Sequence, residues 1–450
     1  MLVLPIAMVV MAAVAVLVTR RFSARRAASR GPGPGRGRQP VAPIDLGGDL
    51  PTFNLIALGG QETGKTVLLA SIFHRLATEL SDGGFRLQTS LDQSVHLTSL
   101  HATLRDCDAA WPPGTAVGDT RSFTFECVGS AGGGELPVLN FNYLDYAGEL
   151  VGGGAVPQAV AEQRESRQRD LEQRIEAAHA LFGLIDGQRM LGHIRGDAGS
   201  RSYLENSIVP MLSVMRKARC PVHFILTKWD LFDGLATADG PADENDRLSV
   251  VRQHLMAHPA IRNLVEQRRR DKRVVRLIPV SAIGRQFASM HPSGHMIKRK
   301  DGLLRPLNVE IPLCAVLPDL FGQIEDQLDQ SHESHIMAER RARAKLTARE
   351  SFAAAAKFLA LPAGAAVRVA ADIAIGRNAF SDKIADVFVD WVGRPFDDKM
   401  AQVGAVVDDA RLQLSELRLI RAAVLREFSE RMIVLKRQLP ASDLSDAGRL

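Results

Sequence analysis

Residues 59–66 read GGQETGKT, set between the apolar run FNLIAL (53–58) and VLLASIFHRL (67–76). A buried strand that turns through glycines straight into a helix leaves few architectures open. The spacing G-x-x-x-x-G-K-[ST] is met by Gly59, Gly64, Lys65 and Thr66. Glycine lets the backbone N–H groups of the loop, Gly59, Gly60, Gln61, Glu62, Thr63 and Gly64, wrap an anion, and the helix N-terminus adds favourable partial charge. In such a loop Lys65 reaches the β- and γ-phosphates and the Thr66 hydroxyl binds Mg²⁺. The loop does not by itself identify the base.

Three further strand ends bear on that question. LNFNYLDYAGEL (139–150) is a strand-like run ending in Asp145, with Gly148 three residues on. A carboxylate there holds Mg²⁺, directly or through water, and the glycine N–H can meet the γ-phosphate. PVHFILTKWD (221–230) ends a buried strand in Thr227, Lys228, Trp229 and Asp230. The Asp230 carboxylate can accept two hydrogen bonds, from the guanine N1–H and the N2 amine, whereas adenine turns an acceptor toward it. Lys228 is expected to lie over the base and brace the phosphate loop. RVVRLIPVSAIG (273–284) ends a further strand in Ser281 and Ala282, and the Ala282 N–H is placed to meet guanine O6.

The order phosphate loop, D-x-x-G, T-K-x-D and S-A, each at a strand end, resembles P-loop GTPases of the TRAFAC class, the translation-factor and small-GTPase superclass, over residues 51–330. The resemblance implies GTP or GDP with Mg²⁺ as ligands. Together with DYAGE (145–149) and the helices that follow, it is similar to the bacterial double-GTPase group, although one set of motifs is present here. An ATPase or kinase sharing the loop is disfavoured by T-K-W-D.

Strands alternate with helices: strands near 53–58, 121–128, 138–145, 180–185, 222–227 and 274–280; helices near 66–80, 156–178, 203–217, 246–267 and 307–329. This predicts an α/β three-layer sandwich with a mostly parallel sheet and ligand loops at its carboxyl edge. Residues 81–135 and 231–270 read as insertions. A γ-phosphate-sensing, Mg²⁺-binding threonine is expected ahead of the second strand, with Thr120 and Thr115 as candidates, and Arg121 beside them reads as a solvent-facing side chain. The catalytic set is Lys65, Thr120, Gly148 and Glu149. Glu149 stands where many hydrolysing relatives use glutamine to orient the attacking water; its charge repels the γ-phosphate, so slow intrinsic hydrolysis is expected.

Residues 1–19 contain no charge, and as a helix would span about 28 Å, one hydrocarbon core. Arg20, Arg21, Arg25 and Arg26 follow, which places that side in the cytoplasm. No basic residue precedes the run, so a transmembrane anchor fits better than a cleaved signal peptide. Residues 20–50 form a basic Pro/Gly-rich linker, 51–330 the GTPase domain and 331–450 a helical C-terminal module. Residues 1–50 hold seven arginines and two acids, which equals the net charge of +5 for all 450 residues. The remainder is close to neutral and aromatics are 5%, which disfavours nucleic acid as a partner. The four cysteines form no C-x-x-C pair. The expected activity is GTP hydrolysis by a cell-membrane, single-pass protein that switches its contact with a regulatory or effector protein. The alternatives are a non-hydrolysing GTP-bound scaffold and a membrane-anchored receptor subunit of a translocation system.

Overall fold

The structure, a computed structural model, describes residues 50–78, 84–112, 120–131, 134–147, 169–235, 242–291, 296–323 and 407–445. The chain divides into two units, 1–48 and 49–450, of which the first lies outside the described residues.

The strands β1 (Thr52–Gly59), β2 (Phe85–Gln88), β3 (Thr120–Ala131), β4 (Gly134–Ala147), β5 (Ala180–Ile185), β6 (Val222–Leu226) and β7 (Val275–Pro279) form one sheet in the order β2-β3-β4-β1-β5-β6-β7. β1, β4, β5, β6 and β7 are mutually parallel, and β3 runs antiparallel to both β2 and β4. The parallel strands are continuously apolar because helices cover both faces: every residue of β5 and β6 is buried. This mostly parallel seven-stranded sheet, with β2 at one edge, is the α/β architecture expected from the sequence.

Between the strands lie α1 (Lys65–Thr78), α2 (Leu91–Arg105), α3 (Gly187–Arg195), α4 (Val209–Met215), α5 (Glu244–Ala257) and α6 (Pro259–Arg270), and α7 (Ile311–Cys314) follows the last strand. The helix expected over 246–267 is two helices. Pro259 lacks an N–H and drives His258 to an extended ψ of 122°, while Asp243 opens α5 with a capping box. The helix expected over 203–217 begins with a π-turn, Leu204–Ile208, before α4. Residues 85–105, read only as insertion, carry β2 and α2. A short hairpin, β8 (Ala288–Met290) and β9 (Met296–Lys298), follows the S-A loop.

The long helix α8 (Val407–Gln438) packs on the sheet from Ile420 onward. Phe428 is fully buried, 4.6 Å edge-on from Phe85 and 6.4 Å from Phe141 between ring centroids. Gly129 on β3 makes the approach possible, since a Cβ there would sit 2.5 Å from the Ile420 methyl and 2.7 Å from that of Val424. The chain then runs beside β7: the Leu444 N–H donates to the Val275 carbonyl at 3.0 Å, and the Val275 N–H to Ser445 Oγ at 3.0 Å. This covers an edge that would otherwise expose unpaired backbone. Underneath, Asp319 is buried between His223 Nε2, at 3.0 Å, and the Arg276 guanidinium, which also lies 3.8 Å from Asp443.

Among the described residues no helix is long and apolar enough to cross a membrane. The apolar run 1–19, the linker 20–49 and residues 331–406 lie outside the described residues.

Candidate nucleotide-binding site

Parallel strands that end side by side bring their connecting loops to one edge. β1 and β4 are in register at Ala57 and Asp145 and again at Gly59 and Ala147, so the phosphate loop and the D-x-x-G strand end together. β5, β6 and β7 deliver Asp186, Thr227 and Ser281 to the same edge.

Within the loop, Glu62 turns to φ 64° and Gly64 to φ 86°. The left-handed region is strained for a side chain such as that of Glu62 and natural for glycine. Thr63 Oγ1 closes the turn by donating to the Gly60 carbonyl at 2.9 Å. The Lys65 ammonium folds back over the loop, donating to the carbonyls of Gly59 at 2.8 Å and Gly60 at 3.0 Å. Burial pulls its pKa down, and the nearby Asp145 carboxylate opposes that shift. A desolvated ammonium held over a glycine-rich turn at a helix start could meet a phosphate. Thr66 opens α1 beside it, and Asp145 is buried at the end of β4. Two hard oxygen donors suit Mg²⁺, which takes one or two protein oxygens alongside phosphate and water. Among the described residues no cluster of three or more His, Cys, Asp or Glu could hold a metal ion.

The T-K-W-D turn is locked from both sides. Thr227 Oγ1 donates to the Thr63 carbonyl at 2.8 Å and lies 3.1 Å from the Ile185 carbonyl. The hydroxyl of Thr227 thus ties the T-K-W-D turn to the glycine-rich loop 59–66. Lys228 adopts φ 54°, and its ammonium pairs with Asp186 Oδ2 at 2.9 Å. Asp186 also caps α3 by accepting from the Gln188 and Arg189 N–H groups, and its own N–H donates to the Tyr203 hydroxyl. Gly187 has to be glycine: a Cβ would lie 2.1 Å from the Thr227 carbonyl. Asp230 is half-buried. Burial pushes its carboxyl above the usual range, and a short hydrogen bond from Ser281 Oγ counteracts this. Ser281 Oγ in turn accepts from the Gly284 N–H at 2.8 Å. The Ala282 carbonyl accepts from Ser71 Oγ on α1 at 3.0 Å, so the S-A loop is fastened to the helix that starts at the phosphate loop.

Of the residues singled out in the sequence, Gly59 to Thr66, Asp145, Thr227, Lys228, Asp230, Ser281 and Ala282 share this edge. Thr120 is the first residue of β3, opposite Tyr146, rather than ahead of the strand. Arg121 stands in register with Asp145 and is partly buried. Thr115, Gly148 and Glu149 lie outside the described residues. Sequence reading missed Asp186, Gly187 and Tyr203. The dipeptide Asp-Gly after an all-apolar strand was the available signal, since it marks a helix cap.

Neither models of known protein families nor curated proteins match the chain. Solved structures do. One is the signal recognition particle receptor SRb-GTP/SRX complex from Chaetomium thermophilum, at 18% identity over 52% of this chain and 91% of that one, TM-score 0.28. Another is the S. cerevisiae Ski7 GTPase-like domain bound to GDP and inorganic phosphate, at 13% identity over 57% of this chain and 48% of that one, TM-score 0.31. At such identities and TM-scores the functional reading rests on the geometry of the site.

Proposed function

We propose that this protein is a membrane-anchored GTP-binding switch of the TRAFAC class that hydrolyses GTP with Mg²⁺ and changes its contact with a partner protein at the cytoplasmic membrane face. Its motifs resemble those of the bacterial double-GTPase group. The observation that carries the reading is the hydrogen bond from Thr227 Oγ1 to the Thr63 carbonyl, which couples a phosphate loop to a carboxylate turn suited to guanine.

In this reading the loop N–H groups and Lys65 hold the β- and γ-phosphates, and Asp230 accepts from guanine N1–H and N2 while Ala282 N–H meets O6. Lys228, held by Asp186, flanks the base. Thr66 and Asp145 would hold Mg²⁺, with Thr120 or Thr115 joining in the triphosphate state; the cation supplies charge balance to the phosphates. Water attacks the γ-phosphorus in line, giving GDP and phosphate. Gly148 N–H contacts the γ-phosphate and Glu149 orients the water, at a rate slowed by the negative charge of Glu149. The uncharged run 1–19 followed by arginines supports anchoring with the nucleotide domain in the cytoplasm.

Calorimetric titration with GTP, GDP and ATP, followed by single-turnover hydrolysis with and without Mg²⁺, tests the reading. Selective binding of guanine nucleotides and Mg²⁺-dependent release of phosphate are expected. Equal affinity for ATP refutes the base assignment, and binding without any turnover refutes the hydrolase in favour of a GTP-bound scaffold. Release of the intact chain by alkaline carbonate refutes the anchor.

A further inference from the structure

The edge opposite the nucleotide site, where β1, β5, β6 and β7 begin, carries a ledge of positive charge. Arg216 and Lys217 follow α4 and lead into β6; Arg269, Arg270 and Lys272 close α6 and lead into β7; all five are exposed. The two turns are held rigidly together. The buried Arg268 guanidinium donates to the carbonyls of Met215 (3.2 Å), Ala218 (2.9 Å) and Cys220 (2.9 Å), and Arg273 donates to the Ala218 carbonyl at 3.2 Å. Acids near the ledge are fewer. Glu172 is taken up by Lys217 at 2.7 Å, Asp271 lies 3.9 Å from Arg273, and Glu176 is exposed near the start of β5. The domain is close to neutral as a whole, so this concentration is a matter of placement.

The chain also enters the domain at this edge. The Pro51 carbonyl accepts from the Asn140 N–H at 2.9 Å, just before β1 begins, and β6 lies two strands from β1, about 10 Å away. Ahead of it lie the seven arginines of residues 1–50 and the uncharged run 1–19. Clustered cations on a protein tethered to a cytoplasmic membrane face attract anionic headgroups. We infer that the amino edge of the sheet is a docking face for an anionic lipid surface, formed by the ledge of Arg216, Lys217, Arg269, Arg270 and Lys272. Docking there turns the nucleotide edge away from the bilayer, toward soluble partners. The proposal rests on the membrane-anchor reading for proximity, while the charge of the ledge stands independently of it.

The test uses the full chain reconstituted into phosphatidylcholine vesicles with or without phosphatidylglycerol, read by amide hydrogen exchange. Slower exchange over 213–220 and 267–273 with the anionic lipid, reversed by high salt, is expected, with residues 281–287 at the nucleotide edge unchanged. Each cation contributes about five-fold to such an equilibrium. Combining Arg216→Gln, Arg269→Gln and Arg270→Gln therefore weakens docking about 100-fold and restores the neutral-vesicle rate. Unchanged exchange over 222–226 shows that the variant remains folded. The proposal is overturned by protection that is equal in neutral vesicles, by protection that survives in the triple variant, or by equal protection from soluble RNA. It is also overturned if the ledge is already protected in detergent, which would mean that protein rather than lipid covers it. Failure of the anchor is read separately by carbonate extraction; vesicles added to the released chain then report on the ledge alone.

Discussion

Replacing Asp230 with asparagine separates guanine reading from folding, because the two should respond in opposite directions. In the folded chain the Asp230 carboxylate loses solvation, which raises its pKa, and one hydrogen bond from Ser281 Oγ only partly restores the charged form. The folded state therefore favours a neutral side chain at this position, and the amide has the same shape and can still accept from Ser281. Stability near neutral pH is expected to hold or rise. Nucleotide binding follows different arithmetic. In the proposed role the carboxylate offers guanine two charge-assisted hydrogen bonds, each contributing about 1.5–3 kcal/mol. An asparagine keeps one neutral acceptor and turns its NH₂ toward the guanine N2 amine, donor against donor. The net loss is roughly 2–4 kcal/mol, or about 30- to 1000-fold in Kd. Xanthine carries an oxygen where guanine has the amine, so XTP should recover most of the loss. Calorimetry with GTP and XTP, alongside urea melts of both proteins, reads all three quantities. A change in GTP affinity of less than about three-fold, with the fold intact, would refute the guanine-reading role of Asp230.

Three further outcomes follow from the packing. Phe428→Ala should cost about 3–5 kcal/mol in global urea unfolding, since the ring fills the space between Phe85 and Phe141; loss of α8 alone, with an unchanged sheet transition, would show that the helix is an independent module. Thr227→Val keeps the shape but leaves the buried Thr63 carbonyl without its hydroxyl partner. It should cost about 1–3 kcal/mol and loosen nucleotide binding, measured by the same melts and by GDP dissociation. His101 is held to a pKa of about 4 by burial, then by the stacked His74 ring and Arg105, against an ordinary value of 6.5. The unfolded chain takes up that proton first, so stability present above about pH 6.5 is lost as pH falls toward about 4. His101→Leu should flatten that part of the profile of denaturation midpoint against pH, and an unchanged slope would refute the assignment.

Much of the candidate site was legible in the sequence because each motif is contiguous and sits where an apolar strand stops. The phosphate loop, Asp145, Thr227-Lys228-Trp229-Asp230 and Ser281-Ala282 needed only local pattern and the rule that parallel strands present their carboxyl ends together. Short or weakly apolar elements were less legible. β2 has four residues and α2 exposes Leu91 and Val95, so neither has a clear amphipathic period. The break between α5 and α6 was signalled by Pro259, but the apolar spacing continues across it and suggested a single helix.

The chain's local chemistry therefore determined which groups could meet a nucleotide: glycines free to turn, a lysine and threonine at a helix start, and carboxylates at strand ends. The three-dimensional packing decided what holds them. The Thr227 brace to Thr63 spans 164 residues, the Lys228–Asp186 pair 42 and the Ser71 link to Ala282 211. The joining of Phe428 to Phe85 and Phe141, and of the turns after α4 and α6 into one basic ledge, are likewise contacts between distant stretches. Such contacts depend on which strands become neighbours and which faces are left for a returning helix, and no periodicity within one segment encodes that choice.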